Sequence, residues 1–167
     1  MKYFLTTDTH FNHELIKEYC GRPDDFERKI VNGMSGLTKD HILIHLGDIC
    51  IGHETEAHQK YIVPLPCKKI LIRGNHDKKS STWYMEHGWD WVCNTMTLER
   101  GGKKLLFSHF PMVWDGYWEI NFHGHFHNAN HRRWEAELKG DLLKGQRLLA
   151  LEYNNYKLWD LDKELEK

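Results

Sequence analysis

Five short polar clusters punctuate the chain: Asp8-Thr9-His10, Gly47-Asp48, Gly74-Asn75-His76-Asp77, Ser108-His109 and Gly124-His125-Phe126-His127. Together they offer imidazole nitrogens, carboxylate oxygens and an amide oxygen, and no thiolate. Mixed nitrogen and oxygen donors of this kind suit Mn, Fe, Zn or Ni better than Ca or Mg. Taken singly, each cluster also has an ordinary reading as a capping aspartate, a turn or a pair of surface histidines. Taken together, each follows a strand-like segment, and that joint order is the informative signal.

The segments leading into the clusters decide whether they can meet. Short apolar or alternating runs predict strands over residues 2–7, 42–46, 69–73 and 120–123. Residues 95–100 and 103–108 flank Gly101-Gly102, a two-residue hairpin signal. A last strand is expected over 148–153. Helical spacing marks 13–20, with Leu15, Ile16 and Tyr19 on one side, and 25–34, with Phe26, Ile30 and Met34 four apart. Further helices are expected over 54–63, stopped by Pro64 and Pro66, and over 80–87, closed by Gly88. Strands alternating with helices, followed by a hairpin, predict an α/β architecture with a mixed sheet or sheets. Loops leaving the carboxyl ends of such strands converge on one crevice, so clusters far apart in sequence can share a site. The glycines in the clusters permit sharp turns and close backbone approach where a strand stops.

The totals narrow the class. A length of 167 residues fits one domain spanning 1–167 and leaves little room for a separate cap. With 40% hydrophobic and 28% charged residues the chain reads as soluble and globular, not disordered. No apolar run approaches the roughly 20 residues needed to span a bilayer, and residues 1–8 lack a signal-peptide pattern. A cytoplasmic location without membrane association is the expectation. The formal net charge of -1 gives no strongly basic footprint for long nucleic acid. Cys20, Cys50, Cys67 and Cys93 form no CxxC pair, so free and mostly buried thiols are expected.

The ordered set D-x-H, GD, GNH followed by an acid, H, and GH-x-H resembles the calcineurin-like metallophosphoesterase superfamily, over residues 8–127. The chain looks like a small, cap-less member. The resemblance implies a β-sandwich of two mixed sheets flanked by helices, in four αββα layers. It also implies two divalent metal ions, manganese first among them and Fe, Zn or Ni as alternatives. Carried over residue by residue, one ion would be held by Asp8, His10, Asp48 and His127. The other would be held by Asp48, Asn75, His109 and His125, with Asp48 as the bridge. His76 would bind no metal; it would face the phosphate and stabilise the developing charge or protonate the leaving oxygen, an effect typically worth about 10²–10⁴-fold. The implied reaction is attack on a phosphate ester by a bridging hydroxide held between the two ions, which lower the pKa of bound water and clamp the anionic partners together.

Two departures from the family pattern shape the expected substrate. Members acting on phosphoproteins continue the GD motif with a further Asp; here Ile49-Cys50-Ile51-Gly52 follows, which argues against protein phosphatase activity. The segment between His109 and Gly124 is short and aromatic, and no large cap fits there. A small phosphorylated substrate is therefore expected, cleaved as a monoester or a diester, with a nucleotide among the candidates. His13 and Arg22, with Asn75 and His76, are the expected substrate-binding residues. Arg22 and Arg73 are each candidates for a bidentate phosphate contact, with a surface ion pair as the alternative role for either, and a place at a helix N-terminus is the alternative for His13. Trp83, Trp114, Tyr117 and Trp118 are candidates for stacking on a base, with core packing as the alternative. The basic residues Arg132, Arg133, Lys139, Lys144 and Arg147 interleave with Glu135, Glu137 and Asp141, which reads as a solvated helix face. A nuclease of the same fold is the alternative within the enzyme class. A non-catalytic protein-binding scaffold is the alternative outside it, as in a retromer subunit of this superfamily. A scaffold would be expected to lose ligands, whereas every ligand position is filled here. The oligomeric state is left open.

Overall fold

Alternation of short β-branched runs with amphipathic helices produces two sheets in the computed structural model, which describes residues 1–128 and 145–167. The first sheet contains β1 (Lys2–Thr6), β2 (His41–His45), β3 (Lys68–Ile72), β4 (Trp91–Cys93) and β9 (Trp159–Asp160), in the order β4-β3-β2-β1-β9. Strands β1 to β4 run parallel and β9 closes the edge antiparallel to β1. The second sheet contains β5 (Thr95–Arg100), β6 (Lys103–Ser108), β7 (Ile120–His123) and β8 (Gln146–Leu148), in that order. Here β5 and β6 form the expected Gly101-Gly102 hairpin, and β6, β7 and β8 run parallel. The fold is the expected α/β arrangement of two mixed sheets flanked by helices.

Burial runs along the strands, not just across them. Strands β1, β2 and β3 are exposed or half-buried where they begin and buried where they end. Strand β6 follows the same gradient, and all of β7 is buried. Their carboxyl ends therefore emerge from the core already desolvated, and each leads into one of the polar clusters. Leu5, Leu43, Ile44, Leu71, Ile72, Leu105, Phe107 and Phe122 form the apolar floor beneath those ends.

Among the described residues the α-helices are α1 (Ile16–Cys20), α2 (Phe26–Met34), α3 (Glu54–Ala57), α4 (Ser81–Glu86) and α5 (Leu161–Leu165). Helix α2 buries Phe26, Ile30 and Met34, the three residues its spacing singled out. Helix α1 is shorter than expected: Ile16 and Cys20 are buried while Leu15 and Tyr19 are about half exposed, so only part of the apolar spacing faces the core. The helix expected over 54–63 widens into a π-type turn at His58–Ile62. The strand expected over 148–153 is a correction. After β8 the Leu149 amide bonds to the His123 carbonyl, and the chain then coils into a 3-10 turn, Leu151–Asn154. A short apolar run fits a strand or a helical turn equally well by pattern. That turn buries Leu151 and carries Glu152 inward.

Among the described residues no helix is long and apolar enough to cross a membrane. The four cysteines are free thiols, three of them buried. Arg132, Arg133, Lys139 and Lys144, with the acids between them, lie outside the described residues.

Candidate metal centre

The exits of β1 and β2 are zipped together by the backbone. The amides of Asp8, His10 and Phe11 donate to the carbonyls of Gly47, Asp48 and Ile49 at 2.9, 3.1 and 2.9 Å. This pairing sets Asp8, His10 and Asp48 side by side. Asp77 ties in the third loop: its buried carboxylate accepts from the amides of Gly74, Asp48 and Ile49 at 2.7, 2.8 and 3.2 Å. Burial raises the Asp77 carboxyl against the pull of those bonds. This bracing role depends on loops that are distant in sequence and is not legible from the motif alone.

Two glycines allow the loops to approach this closely. A Cβ on Gly74 would lie 2.2 Å from Asp48 Oδ1, and one on Gly124 would lie 2.0 Å from Thr7 Oγ1 and 2.2 Å from Asp8 Oδ2. Asp8, His10, Asp48, His125 and His127 all have positive φ, between 46° and 68°. Non-glycine residues rarely adopt this conformation, and each instance costs on the order of 1–3 kcal/mol. Five strained residues in one place mean that the surrounding packing enforces how these side chains are aimed.

The two aspartates are held in the same way. Asp8 Oδ2 accepts from Thr7 Oγ1 at 2.6 Å and from the His125 amide at 2.9 Å. Its Oδ1 lies 3.8 Å from His10 Nε2 and 3.7 Å from His127 Nε2. Asp48 Oδ1 accepts from the His76 amide at 2.8 Å. Its Oδ2 lies 3.6 Å from His10 Nε2 and 3.4 Å from His109 Nε2. One oxygen of each carboxylate is thus anchored and the other is presented. His109 Nε2 is in turn 3.0 Å from Asn75 Oδ1 and 3.2 Å from His125 Nδ1.

The seven residues expected as metal ligands therefore come together in two overlapping sets that share Asp48 Oδ2. Ligand atoms of Asp8, His10 and His127 lie within 4.8 Å of one another, as do those of Asp48, His109 and His125. The donor chemistry fits cations. His109 Nδ1 contacts the Leu46 carbonyl at 2.7 Å, so Nδ1 carries a proton and Nε2 is the nitrogen turned toward Asp48, Asn75 and His125, where a cation would displace its proton. Among the described residues, Asp8 Oδ1 and His10 Nε2 are buried without a hydrogen-bond partner. Leaving such atoms unmatched is costly, and a cation between them answers it.

Electrostatics point the same way. Burial alone would raise the Asp8 carboxyl, but His127, His10 and His109 around it hold it well below the ordinary carboxylate range. Asp48 is likewise held down, against burial, by His109. Burial lowers His10 to about 4, which keeps its ring neutral and available as a donor.

His76 stands at the rim with 44% of its side chain exposed and Nε2 3.9 Å from Asp48 Oδ2. His13 is partly buried, its Nδ1 3.3 Å from His10 Nδ1. Arg22 is a correction. Its side chain is fully buried, and its guanidinium donates to Glu152 Oε1 at 2.8 Å and to the carbonyls of Thr9 and Asp8 at 3.1 and 2.8 Å. It braces the loop that carries Asp8 and His10 from behind, and does not line the open face. The same Glu152 oxygen lies 3.5 Å from His127 Nδ1, the ring nitrogen opposite the one facing Asp8. Glu152 was not anticipated, because it sat inside a predicted strand.

The stacking candidates divide. Trp118 is buried and Trp83 stacks on His87, whereas Trp114 and Tyr117 are exposed. An exposed aromatic that touches the cluster is Phe110, whose ring lies 4.9 Å from that of His109 and 4.3 Å from that of His125.

Comparison with known proteins bears on the fold and the family. An uncharacterized protein of Methanocaldococcus jannaschii is 29% identical over 141 residues, covering 78% of this chain and 71% of its own length. The crystal structure of a protein of unknown function from Aquifex aeolicus matches with a TM-score of 0.76 and 25% identity, over 99% of this chain and 97% of that one. A nuclease of Pseudomonas putida shares the fold at a TM-score of 0.50 and 19% identity, over 75% of this chain and 61% of that one. A family model matches residues 1–161, and by that match the chain belongs to the calcineurin-like phosphoesterase family.

Proposed function

We propose that the protein is a phosphoesterase that hydrolyses a small phosphorylated substrate at a centre built for two divalent cations. The observation that carries this reading is the shared oxygen: Asp48 Oδ2 faces His10 Nε2 on one side and His109 Nε2 on the other, at 3.6 and 3.4 Å. Asp8, His10, Asp48 and His127 would hold one ion. Asp48, Asn75, His109 and His125 would hold the other. When bound, two such ions supply Lewis acidity, neutralising a phosphate and acidifying water.

The remaining work falls to the chain. The Asp48 carboxylate keeps the two donor sets in register, because its other oxygen is fixed by the His76 amide. That same bond places the His76 ring at the rim, where its Nε2 can give a proton to the departing oxygen. Asn75 adds a neutral donor, which leaves more positive charge on the centre than a third carboxylate would. His13 lines the edge beside His10 and would contact the phosphate. Manganese is the first candidate among Mn, Fe, Zn and Ni, on the mixed imidazole and carboxylate donors. The proposed location is cytoplasmic, and long duplex nucleic acid is not the proposed substrate.

The test uses manganese-loaded protein and bis-p-nitrophenyl phosphate. His76→Ala should lower kcat about 10²–10⁴-fold while retaining both ions. Asp48→Asn should lose both activity and metal, read by elemental analysis. Turnover unchanged in both variants would sink the reading.

A further inference from the structure

One groove adjoins the centre directly. It encloses about 310 Å³ and is lined by Arg73, Asn75, Asn94, His109, Phe110 and Met112 among others. Asn75 and His109 belong to the candidate metal centre, so the groove is a continuation of that site. Its lining combines a cation with an exposed ring. The Arg73 guanidinium donates twice to one atom, Asn94 Oδ1, at 3.2 and 2.8 Å. That partner is neutral, and Arg73 is in none of the ion pairs found among the described residues. The surface ion pair considered for Arg73 is therefore not what the structure contains. An arginine held in place by an amide, with its charge unmatched, is prepared for an anion. In the same lining, Phe110 is 45% exposed and Met112 39% exposed. Phe110 is braced against His109 and His125, which fixes the ring as a platform at the mouth of the centre.

We propose, on the basis of the phosphoesterase reading above, that this groove binds a nucleoside substituent of the substrate that carries a second phosphate. Phe110 stacks on the base, since every nucleobase presents a flat π-face. Arg73 receives the second phosphate through its free donors. His76 is not among the lining residues, so the groove takes the alcohol retained on the phosphate, and the leaving oxygen departs on the His76 side. The preferred substrate is then a nucleotide diester with phosphates at both the 5′ and 3′ positions. A short single strand and a bisphosphorylated nucleotide conjugate share that chemistry.

Three diesters with one leaving group, p-nitrophenolate, separate these terms: methyl p-nitrophenyl phosphate, thymidine 5′-(p-nitrophenyl phosphate), and the latter with a 3′-phosphate. Manganese-loaded protein should show kcat/KM rising about fivefold or more from the first to the second, and about tenfold again to the third. Phe110→Ala should remove the first step and Arg73→Ala the second. Arg73→Gln, which keeps most of the side-chain volume, should behave as Arg73→Ala, and matched melting temperatures exclude misfolding as the cause. Competition by a short single-stranded oligonucleotide against competition by thymidine 3′,5′-bisphosphate then distinguishes the two sources. Equal kcat/KM for all three diesters, or steps that persist in the variants, would overturn the subsite while leaving the hydrolase reading intact. No turnover of any diester by the unaltered protein would remove both.

Discussion

Two groups of histidines in this protein sit in opposite surroundings. His10, His109, His125 and His127 gather around Asp8 and Asp48 at the strand exits. His58 and His87 sit among Trp83, Tyr84 and Trp89, and His45 edges onto Trp89. There the Nδ1 atoms of His58 and His87 have backbone partners, while His58 Nε2 is buried without one among the described residues. His58 Nδ1 meets the Glu54 carbonyl at 2.7 Å, and His87 Nδ1 meets that of Trp83 at 2.7 Å. Burial disfavours the charged ring in both groups, yet the outcomes diverge. Burial lowers His58 to about 4 and His45 to about 3. Near the aspartates the outcome divides: burial still lowers His10 to about 4, whereas at His109 and His127 the nearby carboxylates outweigh burial and raise the rings to about 9 and about 10. A content of 13 histidines is therefore not a metal signature in itself. Carboxylates presented beside buried imidazoles make the difference.

The largest expected effect separates the groups directly. Asp8→Asn should cost about 10³-fold in phosphodiester turnover and should release one of two manganese ions, since a presented oxygen becomes part of a neutral amide. His58→Gln should keep both ions and stay within a few-fold of the unaltered rate. Elemental analysis beside a bis-p-nitrophenyl phosphate assay reads both. If the two variants lost metal equally, the contrast between the groups would collapse.

The next effect concerns the support behind the ligands. Glu152 lies against His127 Nδ1, and Arg22 links it to the backbone of Asp8 and Thr9. A carboxylate behind a metal-bound imidazole fixes its tautomer and strengthens it as a donor. Glu152→Gln should weaken one of the two cation affinities by about 10–100-fold, with a smaller effect on the other. Calorimetric titration with Mn²⁺ resolves two sites, and an equal loss at both would place Glu152 in general stability instead.

What the sequence allowed and withheld follows from how local each signal is. Gly47-Asp48 directly after Ile42 to Leu46, and Gly124-His125 after Ile120 to His123, are legible because an apolar run stops abruptly at polar donors. Helix α2 is legible because Phe26, Ile30 and Met34 repeat on one face. Glu152 was not, since its meaning depends on Arg22, 130 residues away, and its neighbours Leu151 and Tyr153 imitate a strand. Arg22 was misread for the same reason: an arginine near a phosphate-binding motif looks alike whether it faces the substrate or braces the loop. Strands β4 and β9, three and two residues long, form by pairing onto longer strands. Their own sequences are too short to carry a period.

The smallest effect tests the aromatic group by pH. His58 is fully buried, with a pKa lowered from 6.5 to about 4. Between those two values the unfolded chain binds a proton that the folded chain does not, so stability falls as pH falls through that window. From pH 7 to pH 5 this histidine should account for about 1–2 kcal/mol of lost stability. The loss is complete only below the folded value. Denaturant titrations at the two pH values, run on chelated protein so that cation release does not contribute, give the slope. In His58→Gln the slope should be shallower by that amount, whatever the variant's own baseline. An unchanged slope would mean that the His58 ring is protonated as readily in the fold as outside it. The aromatic surroundings would then lose their claim to hold it neutral, and with that the opposition between the two groups would rest on the carboxylates alone.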